Sequence, residues 1–116
     1  MTLNEYQKAA QRTSDKNMAK GMHLINMHLI NGVLGLAGES GEVADLVKKA
    51  YFQGHAIDRE HIAKELGDIL WYIAETATAI GYLLDDIAQM NIDKLKARYP
   101  DGFDPDRSMN RREGDV

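Results

Sequence analysis

Two short acidic motifs contain the residues of this sequence that are best suited to chemistry. The first runs from Glu39 to Glu42 as Glu-Ser-Gly-Glu, and the second runs from Glu65 to Asp68 as Glu-Leu-Gly-Asp. Each motif places two carboxylates three positions apart, which on a helix puts them on one face with Cβ atoms about 5–6 Å apart. This spacing is typical of ligands for a divalent metal ion.

Both motifs border an apolar helical stripe. Glu39 lies three residues after Leu36 and four before Val43, and Glu65 has the same spacing to Ile62 and to a second isoleucine. If the two helices pack antiparallel, four partly desolvated acids converge, which is unfavourable without a counter-charge. Hard cations such as Mg²⁺ or Mn²⁺ take oxygen ligands and offset that repulsion. The alternative for any single pair is an ordinary solvated face.

Four glycines recur at every third position beside the first motif: Gly32, Gly35, Gly38 and Gly41. Each glycine inside a helix costs about 0.8–1 kcal/mol relative to alanine. Close approach of a neighbouring helix or of a ligand would explain this pattern, because neither tolerates a Cβ atom there. The alternative is a break in the helix near Gly38 to Gly41.

Apolar periodicity and capping residues predict four helices and no strand. The expected helices are Asn4 to about Ser14 after a Thr2/Glu5 capping box, about Met27 to Phe52, Arg59 to about Ile80 between Asp58 and Gly81, and Asp86 to Tyr99 after an Asp85 cap. The predicted fold class is all-α, an antiparallel four-helix arrangement, with residues 1–103 forming one domain and 104–116 an extended C-terminal tail.

The last predicted helix carries a polar stripe beside its apolar one. Asn91, Lys94 and Arg98 follow one another at spacings of three and four. An amide, an ammonium and a guanidinium in a row suit phosphate oxygens. The alternative is a solvated helix face.

The histidines are not assigned to a site. His23 and His28 are five residues apart and do not share a helical face, so we expect structural or solvent-facing roles. His61 lies one turn before Glu65, and we expect it to be a surface residue.

Composition narrows the class of protein. The chain has 116 residues, 44% of them hydrophobic, and a formal net charge of −4. An acidic chain has no basic surplus to displace counterions from nucleic acid. There is no cysteine, which excludes thiolate chemistry and favours a reducing compartment. We therefore expect a cytoplasmic protein, of a bacterium or a phage-infected cell, with neither nucleic-acid nor membrane partners and of a size at which self-association helps.

Three blocks together resemble a known family. They are the block around Glu39 and Glu42, the block from Glu65 to Tyr72, and the block from Asn91 to Phe103. In this order they resemble the signature of the MazG-like nucleoside triphosphate pyrophosphohydrolases, in their short single-domain form. The resemblance extends from about Thr2 to Phe103.

The resemblance implies an all-α enzyme that cleaves a nucleoside triphosphate between the α and β phosphates. It implies Mg²⁺, with Mn²⁺ as a substitute, at Glu39, Glu42, Glu65 and Asp68. Asn91 and Lys94 would contact the phosphates, assisted by Arg98. Either Glu39 or Glu42 would also orient or deprotonate the attacking water. Homodimers or homotetramers with sites at subunit contacts are common in the family.

The base-binding residues are less clear from the sequence. Trp71 and Tyr72 directly follow the second motif and are candidates to stack on a nucleobase. A core position is the alternative for Trp71, because it shares helical spacing with neighbouring isoleucines.

Two other functions stay open. The same metal site suits a different pyrophosphate substrate, such as a nucleoside diphosphate, dUTP alone or an alarmone. A non-catalytic helical interaction module is the second alternative. The four intact carboxylates argue against it, since such a module has no reason to keep acids facing each other near a core.

Overall fold

The computed structural model describes residues 1–17 and 26–116 of the chain. These residues form α1 (Leu3–Ala10), a 3-10 turn (Gln11–Thr13), α2 (Met27–Phe52), α3 (Arg59–Ile80), α4 (Leu84–Arg98) and α5 (Pro105–Met109). The predicted all-α class is confirmed, and no β-strand occurs in the described ranges. His23 lies outside them. None of the described helices is long and apolar enough to cross a membrane.

The first helix begins with the predicted capping box. The Thr2 hydroxyl accepts a hydrogen bond from the Glu5 amide at 3.1 Å, and the Glu5 carboxylate accepts one from the Thr2 amide at 2.7 Å. Two amides that a helix start leaves unpaired are thereby satisfied. The helix ends at Ala10, so the last residues expected to be helical form the 3-10 turn instead.

The centre of the fold is an antiparallel pair formed by α2 and α3. A Cβ atom on Gly35 would overlap the ring of Tyr72, and one on Gly32 would overlap the Thr76 hydroxyl and lie 3.2 Å from the Thr76 amide nitrogen. The predicted close approach of a neighbouring helix is therefore confirmed at these two glycines. Because the earlier residue of α2 meets the later residue of α3, the two helices run in opposite directions.

The other two glycines of the series have a different environment. A Cβ atom on Gly38 or Gly41 would meet nothing within 4 Å. The expected close approach of a neighbouring helix is therefore wrong at these two positions within one chain, whereas the close approach of a ligand there stays a prediction. Helix α2 nevertheless continues through both residues, so the alternative of a helix break is also wrong.

Helix α1 is joined to α3 and α4 through the buried side chain of Gln7. Its Nε2 donates to the Thr78 hydroxyl at 3.1 Å and to the Tyr82 carbonyl at 2.8 Å. Its Oε1 accepts from the Leu84 amide at 2.8 Å. One amide side chain thus links the end of α3 to the start of α4.

The start of α4 corrects the predicted cap. Helix α4 begins at Leu84 rather than Asp86, and its N-cap residue, Leu83, makes no side-chain capping bond. Asp85 does not cap the helix, because it lies in the first turn and its amide donates to the Asn4 side chain at 3.0 Å. The capping oxygens come from α1, which a local reading of the sequence does not include.

The tail beyond residue 103 contains a short helix. Asp104 caps α5 by accepting from the Asp106 amide at 2.9 Å. The tail is therefore not extended throughout, because it contains α5 and then a turn in which the Asp115 amide donates to the Arg112 carbonyl at 3.1 Å.

The buried apolar core of the described residues is small. It consists of Ala10, Ala74, Ala77 and Leu84. It lies where α1 crosses α3 and the start of α4, at the opposite end of α3 from the second acidic motif.

Candidate functional site

Three carboxylates from the two acidic motifs meet across the α2–α3 pair. Glu39, Glu65 and Asp68 each contribute an oxygen, and the three oxygens lie within 4.8 Å of one another. The register set by the glycines explains this meeting. Glu39 lies one turn after Gly35 on α2, and Asp68 lies one turn before Tyr72 on the antiparallel α3. A close helix contact therefore leads directly into the acidic cluster.

The acids of the cluster repel each other. Partial burial raises the pKa of Glu39, and the negative charges of Asp68, Glu65 and Glu42 raise it further. A hydrogen bond to Glu65 acts in the same direction. Glu39 therefore holds a proton more readily than an isolated carboxylate does, and a positive charge beside it would relieve the repulsion.

Glu42 lies outside the group of three. It is exposed, one turn beyond Glu39 on α2, and its charge reaches both Glu39 and Lys49. The sequence predicted four converging acids, and within one chain three of them converge.

His61 is a neighbour of the cluster that the sequence reading did not assign. Its Nε2 lies 3.0 Å from Oε1 of Glu65, one helical turn away, while its side chain stays 49% exposed. The signal for this contact was the four-residue spacing, which places the two side chains on one face of α3.

An aromatic wall adjoins the carboxylates. An open pocket of about 360 Å³ is lined by Glu39, Asp68, Trp71 and Tyr72. The two rings pack edge to face, with centroids 5.0 Å apart and planes at 83°. The Trp71 indole also donates to the Thr13 hydroxyl at 2.8 Å, which fixes its orientation. The pocket thus combines two carboxylates with aromatic rings that can contact a planar apolar group.

The polar stripe of α4 does not line the pocket at the acidic cluster. Asn91 and Lys94 are exposed, and Arg98 forms an ion pair with Asp115 at 2.6 Å. Lys94 and Arg98 line a pocket with the C-terminal segment, whereas the pocket at the acidic cluster is lined by α2 and α3.

A second titratable cluster lies on the same helix but is already paired. The Glu75 carboxylate is 2% exposed and lies 2.8 Å from His28 Nδ1, 2.9 Å from the Ser14 hydroxyl and 3.2 Å from the Gln11 amide nitrogen. These partners satisfy the buried carboxylate, and they give His28 the structural role expected for it. The sequence reading did not single out Glu75, although an acid within an alanine-rich helix face was the available signal.

The composition of the acidic cluster fits a hard divalent cation. All its donors are carboxylate oxygens, which Mg²⁺ and Mn²⁺ prefer over nitrogen and sulfur. The raised pKa of Glu39 reflects negative charge that such a cation would neutralise. The residues present therefore suit a metal of this class.

Comparison with known proteins agrees with the geometry. Residues 30–103 match the sequence model of the MazG nucleotide pyrophosphohydrolase domain, and this range contains both acidic motifs and the whole of α4. The Gene 37 protein of Mycobacterium phage L5 is 31% identical over 121 residues, which cover 96% of this chain and 100% of the phage protein. No solved structure matches the chain. The chain belongs to the MazG nucleotide pyrophosphohydrolase domain family.

Proposed function

We propose that this protein hydrolyses nucleoside or deoxynucleoside triphosphates to the monophosphate and pyrophosphate, with Mg²⁺ as cofactor and Mn²⁺ as a substitute. The observation that carries the proposal is the group of three carboxylate oxygens, from Glu39, Glu65 and Asp68, beside an open pocket. Such a group has no use in a purely structural helix pair, where it only adds repulsion.

All four carboxylates would bind the metal, and one of them would also act on the attacking water. Glu65 and Asp68 would hold the metal together with Glu39, and Glu42 would complete the set. When bound, the metal supplies neutralisation of the phosphate charge that grows during cleavage. Either Glu39 or Glu42 would also orient the attacking water and accept its proton.

The remaining site residues would bind the nucleotide. Trp71, with Tyr72, would offer a face on which the base stacks. Asn91, Lys94 and Arg98 would contact phosphate oxygens. Because these three lie on α4 and the acidic pocket is lined by α2 and α3, we propose that a second copy of the chain completes the site in a homodimer or homotetramer.

We place this activity in residues 1–103, with 104–116 as an appended tail. The proposed setting is the cytoplasm of a bacterium or of a phage-infected cell, where the enzyme would remove unwanted or excess nucleotides.

The test is pyrophosphate release from a panel of ribo- and deoxyribonucleoside triphosphates, with Mg²⁺, with Mn²⁺ and with EDTA. Turnover should require a metal and fall about a hundredfold or more in Glu65→Ala, as when other groups that stabilise developing charge are removed. Glu60→Ala is the matched control, because Glu60 lies on the same helix with an 81% exposed side chain that pairs with nearby Lys64.

Each other result changes the assignment. Turnover that persists in EDTA would contradict the metal site. No turnover on the panel, with metal binding intact, would indicate another pyrophosphate substrate. If the wild-type protein shows neither metal binding nor turnover, the better assignment is a non-catalytic helical interaction module.

A further inference from the structure

The C-terminal segment folds back onto α4 through one close ion pair. Arg98 donates to both carboxylate oxygens of Asp115, from Nε at 2.7 Å and from Nη2 at 2.6 Å. The two side chains are only 10% and 16% exposed. A guanidinium of the polar stripe on α4 is thus occupied by a carboxylate from the same chain.

Around this pair lies a cationic pocket of about 300 Å³ between α4 and the C-terminal segment. Its positively charged lining residues are Lys94, Arg98, Arg107, Arg111 and Arg112. Only Glu113 and Asp115 among the lining residues are acidic, although the whole chain carries a net charge of −4. Charges of one sign gathered in a cleft raise the local concentration of ions of the opposite sign.

The positive charges converge on Asp115. Hydrogen bonds from Arg98 lower the pKa of this carboxyl group, and the charges of Arg98, Arg111 and Lys94 lower it further. Asp115 therefore lies at the position in the pocket that an anion would prefer. The planar fork of an arginine accepts two oxygens of a phosphate in the same way as two oxygens of a carboxylate.

We propose that this cationic pocket binds a diphosphate group, as pyrophosphate or as part of a nucleotide's phosphate chain, and that Asp115 occupies the Arg98 fork until such an anion displaces it. The volume is at the lower limit of ligand pockets, which run from about 300 to 1,000 Å³, and it suits a diphosphate better than a whole nucleotide. The choice of ligand rests on the proposed function. The pocket and the Asp115 carboxylate within it are observed independently of that function. The proposal assigns ligand binding to Arg107, Arg111 and Arg112. In the absence of ligand, Asp115 of the C-terminal segment competes for Arg98.

The test is calorimetric titration of sodium pyrophosphate into the full-length protein in EDTA, so that no metal at the acidic cluster contributes. Asp115→Asn keeps the shape of the side chain but removes its charge, and it should bind pyrophosphate about fivefold more tightly because the competing charge-assisted hydrogen bonds weaken. Asp101→Asn is the control, since it makes the same charge change in the same part of the chain outside the pocket lining.

A second pair of variants tests the tail arginines. Arg111→Gln should weaken pyrophosphate binding, with a shallower dependence on salt, whereas Arg12→Gln removes the same charge from the 3-10 turn and should not. The NMR signal of the Arg98 Nε–H should also move when pyrophosphate is added to the wild-type protein, because its acceptor changes.

The proposal is overturned if Asp115→Asn binds no more tightly than Asp101→Asn, or if neither the wild-type protein nor these variants bind pyrophosphate. The hydrolysis assay with Glu65→Ala separates this outcome from a failure of the proposed function. If the protein hydrolyses triphosphates but Asp115→Asn does not change pyrophosphate binding, only the assignment of the cationic pocket is rejected. Tighter pyrophosphate binding by Asp115→Asn in a protein without hydrolysis would reject only the triphosphate activity.

Discussion

Glu39 is the residue whose protonation should influence stability when no metal is bound. Its pKa in the folded protein is raised above the ordinary value of 4.5, so the folded state binds this proton more tightly than the unfolded state. The resulting stabilisation is complete below the ordinary value and is lost as the pH rises through the raised value. At neutral pH the ionised Glu39 is therefore a net cost.

We expect Glu39→Gln to raise the melting temperature of the metal-free protein at neutral pH, because it removes one charge from the cluster. The gain should vanish on acidification to about pH 4, where the wild-type carboxyl is protonated. Thermal melts in EDTA across this range measure the difference. An equal rise in melting temperature from Glu60→Gln would show that the net charge of the protein causes the effect, and not the repulsion within the cluster.

Metal binding should reverse this cost. A ligand that binds only the folded state stabilises it by about 2.7 kcal/mol at a concentration one hundred times its dissociation constant. We expect Mg²⁺ or Mn²⁺ to raise the melting temperature of the wild-type protein, and to do so more at about pH 8 than at about pH 5, because protons compete for Glu39. The same shift in Glu65→Ala would place the metal elsewhere.

The sequence predicted the residue types of the site better than their grouping. Spacing alone showed that each motif keeps two acids on one helix face. That Glu42 lies outside the group depends on where α3 crosses α2, which no local pattern contains. The pairing of Glu75 with His28 is equally non-local, since 47 residues separate the two. The contact of His61 with Glu65, by contrast, follows from their four-residue spacing on α3.

At the scale of the elements, two glycines set the separation of α2 and α3. Gly35→Ala should destabilise the protein by about 1–3 kcal/mol, because the added methyl group overlaps Tyr72 in a packed contact. Gly38→Ala, three residues later in open space, should instead stabilise the helix by up to about 1 kcal/mol. Urea unfolding of both variants measures this opposition. A loss of similar size in both would show that α2 is packed along both positions.

Gln7 should be as important to α4 as any residue within that helix. Gln7→Ala leaves the Leu84 amide and the Tyr82 carbonyl without their partner, and a buried unsatisfied polar group costs about 1–3 kcal/mol. We expect a loss of this size in chemical unfolding. Lys8→Ala on the exposed face of α1 should change stability little, and a similar loss there would indicate a general effect on α1.

Element boundaries were predictable where the capping groups are local. Thr2, Asp58 and Gly81 act at the positions that the sequence indicates. The start of α4 was mispredicted because its cap, Asn4, is 81 residues away from the amide it binds.

At the scale of the whole molecule, one copy of the chain has a large apolar surface. The Cα radius of gyration is 17.7 Å, whereas a compact domain of 100 residues has about 13 Å. On α2 alone, Ile30 is 42% exposed, Val33 49% and Leu34 68%. A surface of this kind is typical of a chain that associates. The sequence predicted association from the length of the chain and from the family resemblance, and it did not identify the face.

We expect a dimer or tetramer in solution, measured by size-exclusion chromatography with light scattering. We assign the contact to the exposed apolar face of α2 that contains Leu34. Leu34→Glu should therefore shift the distribution to smaller species, because it places a charge in that contact. Ala9→Glu, on the exposed side of α1, is the control and should leave the mass unchanged. A wild-type monomer at high concentration would contradict the assignment of this face.

The close contact between Gly35 and Tyr72 also restricts how the chain can vary in evolution. One residue inserted between Gly35 and Glu39, or between Asp68 and Tyr72, would rotate the carboxylate by about 100° around its helix and remove it from the cluster. Insertions and deletions should therefore be excluded from these two intervals and concentrated in the connection between α2 and α3, from Gln53 to Asp58, and after α4. Homologues of different length should differ at those positions while the two helical intervals keep their length.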